Sequence, residues 1–236
     1  MGGIKIFGSP ASTEVARVLT CLMEKDLDFQ LIRMDTYKGD YNVAEFIKLQ
    51  DPCGQVTYKE GKKTLLESRK ICRHVSEKFA STGNSKLLGS GTLERASIEQ
   101  WLQAEEQSFE PPSSELITQL AFAPLLGLHV DPSVVESCKK KLARLLNIYD
   151  EKLEESRFLA GDDFTLADLS HLPNSHYLVN TEVGFEMFEQ RRNVSRWWKD
   201  ISSRKSWKTV AAMQGQLSCF DPHHSKTGKE VGPIIN

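Results

Sequence analysis

At 236 residues, 26% of them charged and 39% hydrophobic, the chain has the composition of a soluble globular protein, with room for one large domain or two small ones. Lys plus Arg total 30 against 32 Asp plus Glu, a balance that gives no electrostatic reason to expect nucleic acid or an anionic membrane as partner. No apolar run approaches the ~20 residues of a membrane span, and the five cysteines (Cys21, Cys53, Cys72, Cys138, Cys219) show neither metal-ligand spacing nor a disulfide framework.

The opening MGGIKIFGSP lacks a basic region followed by a long apolar core, so no secretory signal is expected; Ile6 stands where a myristoylation motif needs Ser or Thr. A cytoplasmic protein with free thiols and no metal is the expectation. Ile4 to Phe7 reads as a strand ended by Gly8-Ser9-Pro10, and Val15, Val18, Leu19, Leu22 and Met23 follow at helical spacing. Phe29 to Met34 reads as a second strand, Asp35 to Asn42 as a polar loop, and Phe46, Ile47 and Leu49 as a short helix. Two strands, Gln55–Lys59 and Lys63–Leu66, meet across a Glu60-Gly61 turn. Ile71, Val75 and Phe79 then give one face of a helix over Ser68–Ala80. The order βαβαββα is that of an α/β thioredoxin-like domain.

Ser81 to Ser90 is rich in Ser, Gly and Asn and reads as a linker, after which the pattern is all-α. The predicted helices are Leu93–Glu110, Glu115–Leu125, Pro132–Glu155, Leu166–Val179 and Val194–Met213. Thr165 and Asp168 form a capping-box-like pair, with Phe164 and Leu169 placed as a hydrophobic staple. Trp101, Trp197, Trp198 and Trp207 read as packing residues of these helices. From Gly215 to Asn236 helical periodicity is lost; His223 and His224, near Cys219, read as solvated rather than metal-binding on an irregular extension. The expected division is 1–80, a linker at 81–91, a helical domain at 92–214 and an extension at 215–236.

The most informative stretch is Asp51 to Arg69, DPCGQVTYKEGKKTLLESR. Its last residues open a helix, whose N-terminus offers unpaired backbone N–H groups and a partial positive charge suited to a small carboxylate. Glu67 beside it suits an ammonium group, so the pair fits the zwitterionic end of an amino acid or γ-glutamyl peptide. The plainer alternative is that Glu67 and Ser68 only cap the helix.

The run GQV followed by LLESRKICRHVSEKFA, together with SPASTEVARVLTCLMEKDLDF, RFLAGDDFTLADLSHLP and RWWKDISSRKSW, resembles the plant-type (phi class) glutathione transferases over about residues 3 to 214. The resemblance implies a glutathione-binding thioredoxin-like domain, an all-helical domain, glutathione as co-substrate, and a homodimer. It aligns Ser12 with the family's catalytic serine, whose hydroxyl stabilises the glutathione thiolate; the alternative for Ser12 is a helix N-cap, and Thr13 is the nearest substitute donor. It places Glu67 and Ser68 on the γ-glutamyl end and the Gln55-Val56 backbone on the cysteinyl unit. Tyr41 and Asn42 fall where the family presents a His or Gln and a Lys to the glycine carboxylate. Ala11, Phe109, Leu116, Leu120, Phe122 and Tyr177 are implied to line the site of a small hydrophobic acceptor.

Three departures stand out. The family's proline after GQV is absent, with Val56 or Thr57 in its place. Neutral Asn42 replaces the lysine, which leaves Lys38 as the nearest cation. Pro52-Cys53 replaces the proline-phenylalanine that locks the neighbouring subunit. The resemblance therefore implies glutathione conjugation to a hydrophobic electrophile. The departures motivate two alternatives: an enzyme repurposed for isomerisation, elimination or cyclisation in specialised metabolism, or a non-catalytic carrier of hydrophobic metabolites such as flavonoids.

Overall fold

The computed structural model describes residues 3–33, 56–125 and 127–215. The readings of the Asp35–Asn42 loop, the short helix around Phe46 and the C-terminal extension lie outside them. Strand β1 (Ile4–Phe7) leads into helix α1 (Thr13–Glu24), then β2 (Phe29–Ile32), β3 (Thr57–Glu60), β4 (Lys63–Leu66) and helix α2 (Ser68–Lys78). The strands lie in the order β2-β1-β3-β4. β1 runs parallel to β2 and antiparallel to β3, and β3 and β4 form the hairpin expected from Glu60-Gly61. Gly61 turns it at φ 57°, a conformation glycine adopts without a Cβ clash. Ile6, Val15, Val18, Leu19, Leu22, Tyr58, Ile71 and Val75 are closed off from solvent between the sheet and the two helices.

Among the described residues, every regular element after α2 is a helix. The run from Thr92 to Leu125 is continuous, where two helices separated at the prolines were predicted. α3 (Thr92–Ala104) widens into a π-helical turn at Glu105–Phe109, continues as α4 (Glu110–Ile117), and widens again at Thr118–Phe122. Pro111 and Pro112 stand in the first turn of α4, where a missing N–H is tolerated and a wide turn precedes them, so they pass without ending the run. α5 (Pro132–Glu155) and α6 (Leu166–Val179) have the predicted bounds. The last predicted helix is instead α8 (Arg192–Ser202) and α9 (Lys205–Gly215), and α7 (Glu182–Glu189), not predicted, precedes them. The break at Ser203-Arg204 lets Arg204 and Ser206 reach Glu24 on α1, at 2.7 and 2.5 Å.

This is a thioredoxin-like half joined to an all-α half, and α1 is the hinge of their packing: it lies against α2 on one side and α6 and α9 on the other. The Ser81–Ser90 segment is tied to the end of α1. The Asn84 N–H donates to the Glu24 carbonyl at 2.7 Å and Lys25 Nζ to the Asn84 carbonyl at 2.9 Å. A Cβ on Gly83 would stand 2.5 Å from the Lys25 backbone, so only glycine permits that approach.

Candidate functional site

The loop between β1 and α1 is held from both halves. Tyr177 Oη on α6 donates to the Ala11 carbonyl at 2.7 Å, and Gln214 Nε2 on α9 donates to the Pro10 carbonyl at 3.0 Å. Ser12 follows in an extended conformation, φ −69° and ψ 130°, and its carbonyl accepts the first α1 bond from the Ala16 N–H at 2.9 Å. Its backbone is thus an N-cap. Its side chain is not: Oγ makes no capping bond and is buried with no hydrogen-bond partner among the described residues. A buried hydroxyl of that kind is uncommon, because an unmade bond costs about 1–3 kcal/mol.

At the start of α2 the capping alternative is realised for Glu67. It adopts φ 73° and ψ 113°, and its two carboxylate oxygens accept from the Arg69 and Lys70 N–H groups at 2.9 and 3.0 Å. Ser68 is closed off from solvent; its Oγ accepts from Arg17 Nη1 at 2.6 Å and its N–H donates to Glu14 Oε2 at 3.2 Å. The N–H groups expected to stand unpaired are therefore engaged by carboxylates of the chain itself.

Behind them lies a buried ionic cluster that the sequence reading passed over. Arg17, fully buried, donates to Glu14 Oε1 at 2.6 Å and lies 3.6 Å from Glu105. Arg69 meets Glu105 with two bonds, 2.8 and 3.0 Å, and also contacts Glu110. Glu105 is placed by the π-helical turn and is fully buried. Burial pushes the Glu14 carboxyl up, but Arg17, the Ser68 contact and Arg69 together outweigh it and hold it below the usual carboxylate range. Burial likewise works against the Arg17 charge, and Glu105 and Glu14 more than restore it. One signal was available in sequence: Arg17 interrupts the apolar face of α1 between Val15 and Val18, and a lone cation in a buried stripe demands carboxylates from elsewhere.

The proposed acceptor residues divide. Phe109 and Leu116 are fully buried, Phe109 against His171 at 4.6 Å between ring centroids. They are core residues, a correction to their reading as lining. Ala11, Leu120, Phe122 and Tyr177 are partly exposed, and the Phe122 and Tyr177 rings meet edge to face at 5.4 Å. Val56 is buried and sits just before β3 rather than within it, so the strand predicted from Gln55 starts at Thr57. Among the described residues no peptide bond is cis, the Val56–Thr57 bond included. Gln55, Tyr41, Asn42, Lys38, Pro52 and Cys53 lie outside the described residues.

Thr165 and Asp168 form the expected capping box on α6. An open cleft of about 780 Å³ lies at the opposite end of α1 from Ser12, between Met23, Leu27, Asn84 and Arg204. Among the described residues no group of His, Cys, Asp and Glu is arranged to hold a metal ion, and no helix is long and apolar enough to cross a membrane.

Residues 114–205 match the family of glutathione S-transferase C-terminal domains. The chain is 38% identical over 205 residues to glutathione S-transferase PARB of Nicotiana tabacum, covering 86% of this chain and 95% of that one. The crystal structure of glutathione transferase F2 from Populus trichocarpa superposes with a TM-score of 0.84 at 50% identity, covering 90% of this chain and 99% of the poplar chain. Glutathione S-transferase I from maize, solved in complex with an atrazine–glutathione conjugate, superposes at 0.80 with 26% identity, covering 92% and 100%. Sequence and fold agree along nearly the whole length, and the chain belongs to the plant phi-class glutathione S-transferases.

Proposed function

We propose that this glutathione transferase joins the glutathione sulfur to a hydrophobic electrophile, with Ser12 as the thiolate-stabilising residue. The observation that carries the reading is the Ser12 hydroxyl, buried at the N-terminus of α1 without a partner among the described residues. A thiol with a pKa near ~8.5 is mostly protonated at neutral pH. A hydroxyl donor together with the positive end of a helix favours the thiolate. The thiol proton leaves to solvent, and the sulfur then attacks the acceptor carbon, either expelling its leaving group as an anion or opening an activated double bond whose far atom is then protonated by solvent. The γ-glutamyl end is assigned to Glu67 and Ser68, with the Gln55-Val56 backbone and Tyr41-Asn42 further along the tripeptide. Ala11, Leu120, Phe122 and Tyr177 are assigned to the acceptor side.

The maize enzyme's conjugate supports this substrate class, a small apolar electrophile that ends bonded to glutathione. The remaining assignments are the 1–80 and 92–214 domains joined by 81–91, a cytoplasmic homodimer, and an extension at 215–236. The test is conjugation of a generic electrophile at high glutathione by wild type and Ser12→Ala. Ser12→Ala is expected to lower kcat about 10²-fold, the scale of one lost donor to a developing anion, with KM for glutathione little changed. Because Oγ has no partner to lose among the described residues, stability should stay within about 0.5 kcal/mol. An unchanged kcat would overturn the role of Ser12.

A further inference from the structure

Helix α2 receives more carboxylate than its cap requires. Glu67 already serves the Arg69 and Lys70 N–H groups. Glu14, reaching over from the first turn of α1, takes the remaining Ser68 N–H at 3.2 Å. The same carboxylate accepts from Arg17 Nη1 at 2.6 Å, the nitrogen that also donates to Ser68 Oγ, and lies 3.7 Å from Arg69 Nη1. Helix α8 offers a contrast. Its own N-cap, Arg191, makes no side-chain capping bond, and Asp150 of α5 lends a carboxylate to Asn193 and Val194 N–H at 2.8 and 3.0 Å. There the borrowed carboxylate replaces a missing cap; at α2 it is added to one.

We propose that Glu14 is a displaceable internal occupant of the subsite for the ligand's α-carboxylate, and that glutathione must expel it to reach Ser68. The inference rests on the assignment of Ser68 to the γ-glutamyl end. The ligand's carboxylate would seek the same N–H, the same hydroxyl and the same two guanidinium groups that Glu14 now holds. Both cannot sit there, because the cluster already contains Glu105 and Glu110 against only Arg17 and Arg69. Glu14 is the member whose departure frees the Ser68 N–H: its side chain is 14% exposed where that of Glu105 is 0%, and Glu110, 25% exposed, meets Arg69. Binding then exchanges one carboxylate for another, and the ligand's own carboxylate contributes little net affinity. In this way Glu14 sets glutathione affinity without touching the sulfur.

The test is calorimetric titration of wild type, Glu14→Ala and Glu14→Gln with two ligands. One is glutathione; the other is γ-aminobutyryl-cysteinyl-glycine, which lacks only the γ-glutamyl α-carboxylate. Wild type should distinguish them weakly. Glu14→Ala should bind glutathione about tenfold tighter, leave affinity for the analogue unchanged, and so discriminate strongly. Glu14→Gln keeps the size and an acceptor while removing the charge, and should fall between; thermal melts followed by circular dichroism show that each variant is folded. If wild type already discriminates strongly and both variants bind glutathione no more tightly, the glutathione site stands and the role of Glu14 falls. If wild type binds nothing and Glu14→Ala binds glutathione, the proposal is supported in its strongest form. If no folded variant binds either ligand, the assignment of Ser68 and the proposal fall together.

Discussion

The carboxylates at the starts of helices α2 and α6 are used in opposite ways. At α6 the cap is closed. Asp168 is fully buried and accepts from the Leu159 and Thr165 N–H groups at 3.0 and 3.1 Å, from Thr165 Oγ, and from Trp197 Nε1 at 2.9 Å. Both its oxygens are used inside the fold, and Trp197 packs edge to face against Tyr149 and His171 beside it. At α2 the cap is open. Glu67 is 28% exposed, its backbone is held at positive φ, and a second carboxylate crowds the same turn. A carboxylate saturated by its own fold has nothing left to offer a ligand and belongs to folding. One that is exposed, strained and duplicated is where the proposed ligand contact is placed.

The contrast is broken most severely at Asp168. Asp168→Ala leaves the Trp197, Leu159 and Thr165 donors unpaired in a dry interior and is expected to cost about 4 kcal/mol, near the upper end for a single buried polar group. Equilibrium denaturation in urea measures it, and a loss below about 1 kcal/mol would mean that the closed cap is not a folding element. Asp168→Asn keeps the volume and one acceptor oxygen and should recover part of the loss.

The closed side should also be the acid-labile one. His171 sits one turn along α6 from Asp168, fully buried, with Nδ1–H donating to the Ala167 carbonyl at 2.7 Å and Nε2 accepting from Tyr149 Oη at 2.9 Å. The neutral ring is satisfied on both nitrogens, and burial, only partly opposed by Glu105, pulls its pKa down from 6.5 to about 4. A depressed folded pKa means that the unfolded chain binds the proton first. The contribution is therefore intact above pH 6.5 and is lost as pH falls towards 4, by roughly 3 kcal/mol in all. Glu14 and Glu24, held below the carboxylate range, add losses in the same direction at lower pH, while Asp168, which burial pushes up, opposes them. In His171→Asn the stability slope between pH 6.5 and 4.5 should flatten by about one proton; an unchanged slope would place the acid sensitivity elsewhere.

The closed cap was legible in sequence and the open one only in part, for a physical reason. Thr165, Asp168, Phe164 and Leu169 lie within a few residues of each other, so their geometry follows from local spacing. Strands β1 and β4 and helices α5 and α6 were likewise readable from periodicity within single segments. The break at Ser203 was not, because it serves a contact with Glu24 some 180 residues away in sequence. Nor were the wide turn that lets the run pass Pro111 and Pro112, or the partners of Arg17, which come from α2 and the 105–109 turn as well as from its own helix. Glu67 and Ser68 could be singled out, but that Glu14 would occupy the same helix end depends on how α1 packs against α2. Spacing along one segment does not encode that packing.

The smallest expected effect sharpens the comparison most. At Glu67 the side chain caps α2 while the backbone sits at φ 73° and ψ 113°, a region that disfavours any residue bearing a Cβ. Glu67→Ala removes the cap and keeps the strain, and should cost about 1 kcal/mol. Glu67→Gly removes the cap but relieves the strain, and should be neutral to within about 0.5 kcal/mol. Stability should thus rank Gly above Ala, the reverse of what a residue inside a helix would show. Glutathione affinity should ignore that ranking: both variants lose the carboxylate proposed to face the ligand's ammonium group and should weaken binding equally. If Gly and Ala instead separate in binding as they do in stability, the strained backbone rather than the carboxylate is what the ligand reads. The open cap would then act through its shape, not its charge.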